Sequence, residues 1–204
     1  MEITPAPQSW QSFYKLMIGS IVPRPIAWVS TLSADGRKNL APFSFFTAGG
    51  ANPPHVVFSP MIRTRDGSPK DTLRNIRETG EFVVNIVTES LAEAMNLTAG
   101  EYDSSVDEFE LAKLTAVPSV TVKPFRVGES PIHYECTLAH LIDLGSEPGA
   151  GSVVIGRVTH LHVADELLIG EDKIDIEKLH AIGRLAGSAY TRVNDFFNLE
   201  RPKV

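Results

Sequence analysis

One cysteine, Cys136, is all the thiol that this chain of 204 residues contains. A single thiol excludes an intramolecular disulfide framework and any multi-cysteine metal site within one chain. That fits a reducing cytoplasm, which is the expected location. Positive charge is also scarce: 19 Lys and Arg stand against 25 Asp and Glu, a formal net charge of -6. Phosphate backbones reward a basic face, so no nucleic-acid partner is expected. Long apolar runs are missing too. None approaches the ~20 residues that span a bilayer, and Met1-Glu-Ile-Thr-Pro-Ala-Pro7 lacks the basic start and apolar stretch of a secretory signal. A soluble protein without a membrane partner is expected. Two nucleotide signatures, Gly-x-Gly-x-x-Gly and Gly-x-x-x-x-Gly-Lys-Ser/Thr, are absent as well. Gly149-Ala-Gly151 sits in a turn between strands, where a Rossmann junction needs a strand followed by a helix.

What is present reads as one domain over 1–204, with no internal repeat and no linker. Ile26–Leu32 is an apolar, β-branched strand that stops at the turn sequence Ser33-Ala-Asp35-Gly36. Asn39–Ala48 resumes as a second strand, making a hairpin, and His55–Ser59 is a short third. The loop Pro60–Lys70, with Gly67 and Pro69, has no place in a helix or a central sheet. Asp71 stands where an N-cap belongs, with Leu73 and Ile76 at helical spacing and Gly80 at the exit. Glu81–Val87 is another strand, and Ser90-Leu-Ala-Glu93 is a capping box opening a helix to about Leu97. Asp107 with Glu110 repeats that signal more weakly, and Val117-Pro-Ser-Val reads as a loop entering an edge strand. Ile132–Leu144 and Ser152–Ala164 are the two longest strand candidates, and a helix start follows at Asp175. Short turns between strands predict a mainly β fold with peripheral helices, an antiparallel sheet closing into a barrel.

Chemistry concentrates between Ser59 and Thr72. Arg63, Arg65 and Lys70 bring positive charge, Ser59 and Thr72 bring hydroxyls, and a helix start brings free backbone N–H groups. Together these suit a phosphate group. Asp71 would repel one, so its expected role is capping or bracing the loop. A solvated basic loop before an ordinary helix accounts for the same residues.

Four segments then carry a resemblance: Arg24-Pro-Ile-Ala-Trp-Val-Ser-Thr31, Asn39-Leu-Ala-Pro-Phe-Ser-Phe-Phe46, Lys70-Asp-Thr-Leu-Arg-Asn-Ile76 and Glu81-Phe-Val-Val-Asn-Ile86. In order and spacing they resemble the flavin reductase-like, FMN-binding split-barrel family, in its flavoredoxin-related branch. Gly183-Arg-Leu-Ala-Gly187 with Tyr190 resembles that branch's C-terminal signature, and the likeness runs over about residues 12–193. It implies an antiparallel split barrel, a homodimer, and FMN held near the subunit interface. Ala41, Pro42, Phe43 and Ser44 would line the isoalloxazine ring, and Ser59, Arg63, Lys70 and Thr72 would surround the phosphate. Trp28 would pack near the flavin or in the core.

The implied function is an NAD(P)H-dependent flavin reductase, accepting hydride from NADH or NADPH on FMN. Electrons would go onward to free flavin, ferric iron or a partner monooxygenase. The alternative is an FMN-binding electron carrier serving a protein redox partner. No catalytic side chain and no metal are expected, because the flavin itself carries the redox chemistry. Four further features take ordinary readings. His160 and His162 on one strand face are packing or surface histidines, and His180 ends a helix. Cys136 is a buried small hydrophobe. Asp103, Asp107, Glu108 and Glu110 make a solvated acidic face. Arg184 and Tyr190 either close the pocket or brace the dimer.

Overall fold

A computed structural model describes residues 2–6 and 9–202. The chain enters through helix α1 (Trp10–Ser20) and then lays down four strands: β1 (Ala27–Leu32), β2 (Lys38–Phe43), β3 (Phe46–Ala51) and β4 (Pro54–Phe58). Helix α2 (Asp71–Thr79) leads into β5 (Glu81–Ile86), and α3 (Ala92–Leu97) and α4 (Glu108–Leu111) follow. A small ladder pairs β6 (Ala116–Val117) with β7 (Arg126–Val127). Two 12-residue strands, β8 (Ile132–Asp143) and β9 (Ser152–Val163), come next. The chain ends on a β10–β11 pair (Leu168–Ile169 with Lys173–Ile174), α5 (Ile176–Leu179), and a hairpin of β12 (Ile182–Arg184) and β13 (Tyr190–Arg192).

Seven strands form one antiparallel sheet in the order β2-β1-β5-β8-β9-β4-β3. Its two edges, β2 and β3, are consecutive in the chain and separated only by Ser44 and Phe45. A two-residue step spans at most about 10 Å, so the sheet must curl until its edges meet. They meet without pairing. The closed barrel expected from the short turns is therefore open along one seam, and the single strand expected over Asn39–Ala48 is two strands broken at that seam. Pro42 is tolerated because β2 is an edge. Register shifts in the β8–β9 ladder, at Glu135/Cys136 and Leu138/His140, are bulges that bend its long strands.

Both faces of β1 are covered, which is why it reads as a nearly continuous apolar run. Ala27 and Val29 face the interior with Phe43, Phe58, Phe82 and Cys136. Ile26 and Trp28 face a second core with Leu40, Met95, Phe109 and Ile182. Gly156 sits mid-strand in β9 because a side chain there has no room. A Cβ at this position would lie 2.2 Å from Cζ of Phe82 and 3.2 Å from Cβ of Cys136. Gly156→Ala should therefore cost about 1–3 kcal/mol through overpacking, read as a lower urea midpoint at unchanged slope. An unchanged midpoint would show that Phe82 swings aside freely.

Several boundaries differ from the sequence reading. Helix α1 was not expected, although Trp10, Phe13, Tyr14 and Met17 have helical spacing. Its residues are half-buried at most, so it packs as an outer layer. Lys70, not Asp71, is the N-cap of α2, and no side chain caps that helix. Gly80 closes it as expected, left-handed at φ 71 with its N–H on the Ile76 carbonyl at 2.9 Å. The capping box at Ser90 is not made: a 3-10 turn over Glu89–Leu91 intervenes, and Ser90 bonds the Thr88 hydroxyl instead. The weaker signal at Asp107 is a true cap, accepting from the N–H groups of Phe109 and Glu110. The strand near Pro118 precedes the proline and ends at Val117.

Candidate functional site

Two concavities join along the outer side of the seam. One lies between β2, the start of α2 and the turn after α3; Lys70, Arg63, Thr72, Thr98 and Glu108 line it. The other lies between Ser44, Asn96 and the β12–β13 hairpin. Pro42 and Ala99 belong to both, so they form one groove with a polar end and a second end beside Ser44 and Tyr190.

At the polar end the cations are unequal. Arg63 Nη2 lies 2.6 Å from Asp71, and Nη1 donates to the Pro69 carbonyl at 3.0 Å. Arg74 holds the other Asp71 oxygen. Asp71 is therefore a brace between two arginines, as the bracing alternative had it. Arg65 is exposed and pairs with Asp66. Lys70 makes no ion pair among the described residues, and burial lowers its pKa from the usual lysine range, with Glu101 opposing. Thr72 is buried, and its Oγ1 accepts from Asn39 Nδ2 at 2.9 Å, which leaves its own proton to donate. With no side chain capping α2, its first N–H groups also lack a side-chain partner. An uncommitted ammonium, a hydroxyl and a bare helix start are a donor set suited to a phosphate.

At the other end, Arg184 stacks its guanidinium 4.4 Å over the Tyr190 ring. Ser44 accepts from Arg24 Nε at 3.3 Å, which leaves the Ser44 proton free toward the groove.

Residues 18–174 match the family described as flavin reductase like domain. The chain belongs to that family. Its structure is similar to nitrilotriacetate monooxygenase component B from Bacillus cereus, at TM-score 0.91 and 40% identity, covering 98% of both chains. It is also similar to the 2-nitrobenzoate 2-nitroreductase NbaA of Pseudomonas fluorescens, at TM-score 0.87 and 33% identity, covering 99% of this chain and 96% of that one. A flavoredoxin of Desulfovibrio vulgaris (Miyazaki F) matches at TM-score 0.75 and 25% identity over 88% and 91%.

Within this flavin reductase-like chain the expected site residues divide. Ala41, Pro42, Arg63, Lys70 and Thr72 line the polar end, and Pro42 and Ser44 the other. Phe43 turns its ring into the barrel, 5.3 Å from that of Phe58, so only its backbone is near the groove. Trp28 is wholly buried and presents no surface to a ligand. Its Nε1 instead donates to Thr98 Oγ1 at 2.8 Å and fixes a wall of the groove from behind. Ser59 lies in a different cavity of about 710 Å³, lined by Trp10, Tyr14, Phe45 and Met61. It is placed apart because the seam turns residues 44 and 45 to opposite sides, and the Ser59 N–H follows Phe45 by bonding its carbonyl at 2.9 Å.

The acidic-face reading fails at Glu108. Only 7% exposed, it accepts from the Leu40 N–H at 3.0 Å and lines the polar end. Burial pushes its carboxyl up to about 7 despite the Leu40 bond, with Asp71 and Asp107 adding to the rise. The cap at Asp107 is the signal that places Glu108 as the first residue of a helix, facing inward. Asn96, in the last turn of α3, and Thr98, its C-cap, carry no motif at all. His162 bonds Glu135 at 2.7 Å, and no metal-binding group of three exists among the described residues. His180 is the left-handed C-cap of α5, away from the groove.

Proposed function

We propose that the chain is an FMN-binding oxidoreductase, an NAD(P)H-dependent flavin reductase working as a homodimer in the cytoplasm. The observation that carries this reading is the uncommitted Lys70 ammonium beside Thr72 and the bare start of α2, at one end of a groove whose other end offers Ser44. Lys70, Thr72 and the α2 N–H groups would hold the phosphate, with Arg63 braced alongside. The backbone of Ala41–Ser44 and the Ser44 hydroxyl would face the polar edge of the ring. When bound, FMN supplies acceptance of a hydride and delivery of its electrons. The groove brings no nucleophile and needs none. Free flavin, ferric iron or a partner oxygenase would take the electrons, the last by analogy with the Bacillus cereus component B.

Lys70→Ala tests the orientation. Losing a charge-assisted phosphate contact should weaken FMN by about 1.5–3 kcal/mol, roughly 10- to 150-fold, with riboflavin nearly unaffected. Equal losses for both ligands would mean that Lys70 supports the fold instead. Likeness to a flavoredoxin favours a second reading, an electron carrier with a protein partner. Anaerobic mixing of FMN-loaded protein with NADH and with NADPH separates the two. Rapid bleaching supports the reductase, and a flavin that stays oxidised supports the carrier.

A further inference from the structure

Arg24 is 5% exposed and occurs in none of the ion pairs among the described residues. Its guanidinium is satisfied by neutral groups. Nη1 donates to the carbonyls of Ile18 at 2.5 Å and Ile21 at 2.7 Å, and Nη2 to that of Leu185 at 2.9 Å. Nε reaches Ser44 Oγ. The backbone of Arg24 also exchanges bonds with Arg184 at 2.9 and 2.8 Å. The side chain thus joins the end of α1, the seam and the β12–β13 hairpin.

Buried charges are ordinarily matched by opposite charges, because dipoles alone leave the net charge standing. Burial lowers the Arg24 pKa, Tyr14 opposes and Arg184 adds to the fall, yet an arginine stays protonated in proteins. A fixed positive charge therefore stands directly behind the Ser44 hydroxyl, in a setting where water screens it poorly. Neutral residues of similar length would bind the same carbonyls without that desolvation cost. The charge is the part left unexplained by structural bracing.

We propose that Arg24 is a positioning residue that acts through Ser44 to favour the reduced, negatively charged flavin ring over the oxidised, neutral one. This rests on the flavin reading of the groove. Reduction adds two electrons and one proton to the ring, delivered as hydride while the nicotinamide donor is oxidised to NAD(P)+. The negative charge that remains is shared by N1 and O2. A Ser44 proton turned outward by the Arg24 Nε bond donates toward that charge, and the guanidinium behind it strengthens the attraction. The oxidised ring, carrying no charge there, gains much less.

The test compares affinity for oxidised FMN, from fluorescence titration, with the midpoint potential of bound FMN, from anaerobic dithionite reduction against a reference dye. Arg24→Gln should hold oxidised FMN within about twofold and lose about tenfold for reduced FMN, a potential about 30 mV more negative for a two-electron couple. Arg24→Lys, which keeps the charge, should stay within threefold of the natural chain. A folded Arg24→Gln protein with an unchanged potential overturns the proposal. Should that variant fail to fold, Ser44→Ala leaves the three carbonyl bonds in place and decides instead. A loss of at least threefold for reduced over oxidised FMN supports the role, and no loss overturns it. A natural chain that binds neither FMN nor riboflavin would overturn the flavin reading and this proposal with it. Binding with unaltered potentials overturns only the role of Arg24.

Discussion

Replacing Glu135 by alanine lowers the unfolding free energy by about 3–5 kcal/mol, the cost of stripping one partner from a buried charged network. Glu135 lies on β8 with no exposed surface. One carboxylate oxygen accepts from the Val120 N–H at 2.8 Å and from His162 Nε2 at 2.7 Å. The other accepts from the N–H and hydroxyl of Thr121, at 2.6 and 2.7 Å. Alanine would leave four donors facing a void, and the loop after Pro118 would lose its tie to the sheet. Burial alone would raise this carboxyl's pKa, but His162 and the Val120 and Thr121 donors outweigh it and hold it at about 2. The sign follows from that depression. The stabilisation is complete above the ordinary glutamate range near pH ~4.3 and is lost as pH falls toward 2. Urea unfolding at pH 7 and pH 3 checks both statements. A loss below about 1 kcal/mol at pH 7 would mean that the loop is held by something else.

Glu108→Gln is the second large effect, and it has the opposite pH dependence. The folded protein holds this proton up to about pH 7, well past the pH at which an unfolded glutamate releases it. Stability contributed by the buried acid is present at low pH, falls as pH rises to about 7, and is level above. An ionised Glu108 at pH 8 costs about 3–4 kcal/mol, which glutamine avoids while still accepting the Leu40 N–H. Glu108→Gln should therefore be the more stable protein at pH 8 and nearly equal to the natural chain at pH 4.5.

The same substitution reaches the groove. At pH 8 it should bind FMN about 3- to 10-fold more tightly, because a negative charge facing the phosphate end is gone. At pH 5.5 the ratio should return to one. Taking the ratio at each pH cancels the titration of the phosphate itself. A ratio that does not change with pH would mean that the charge on Glu108 is not what the phosphate end responds to.

Legibility in the sequence tracked how local each signal was. Strands β1 and β5 were visible because their apolar runs come from burial on both faces, and β8 and β9 through their length and the Gly/Pro turn between them. Helix α2 was visible through Leu73, Ile76 and Gly80. The seam was not, since Pro42 marks an edge strand without marking where it stops; the break at Ser44 and Phe45 exists because β2 and β3 belong to opposite edges. At the candidate site, Lys70 and Thr72 stood out as charge and hydroxyl beside a helix start. Glu108 did not, because an acidic run looks solvated until α4 packs against β2. Phe43 packs into the barrel interior and Trp28 into the second core on the opposite face, a difference that alternation along a strand decides only when the sheet's two sides are known.

Strand order also sets a timetable. The β3–β4 hairpin is made early, yet its only neighbour in the sheet is β9, which pairs Phe58 with Val154. A two-stranded ribbon alone is marginal in water. During translation it waits for about a hundred more residues, roughly 5–20 s at ribosomal rates. Over that interval the β9 side of β4, along Val56–Phe58, stays unpaired, an open strand edge that another chain could add to.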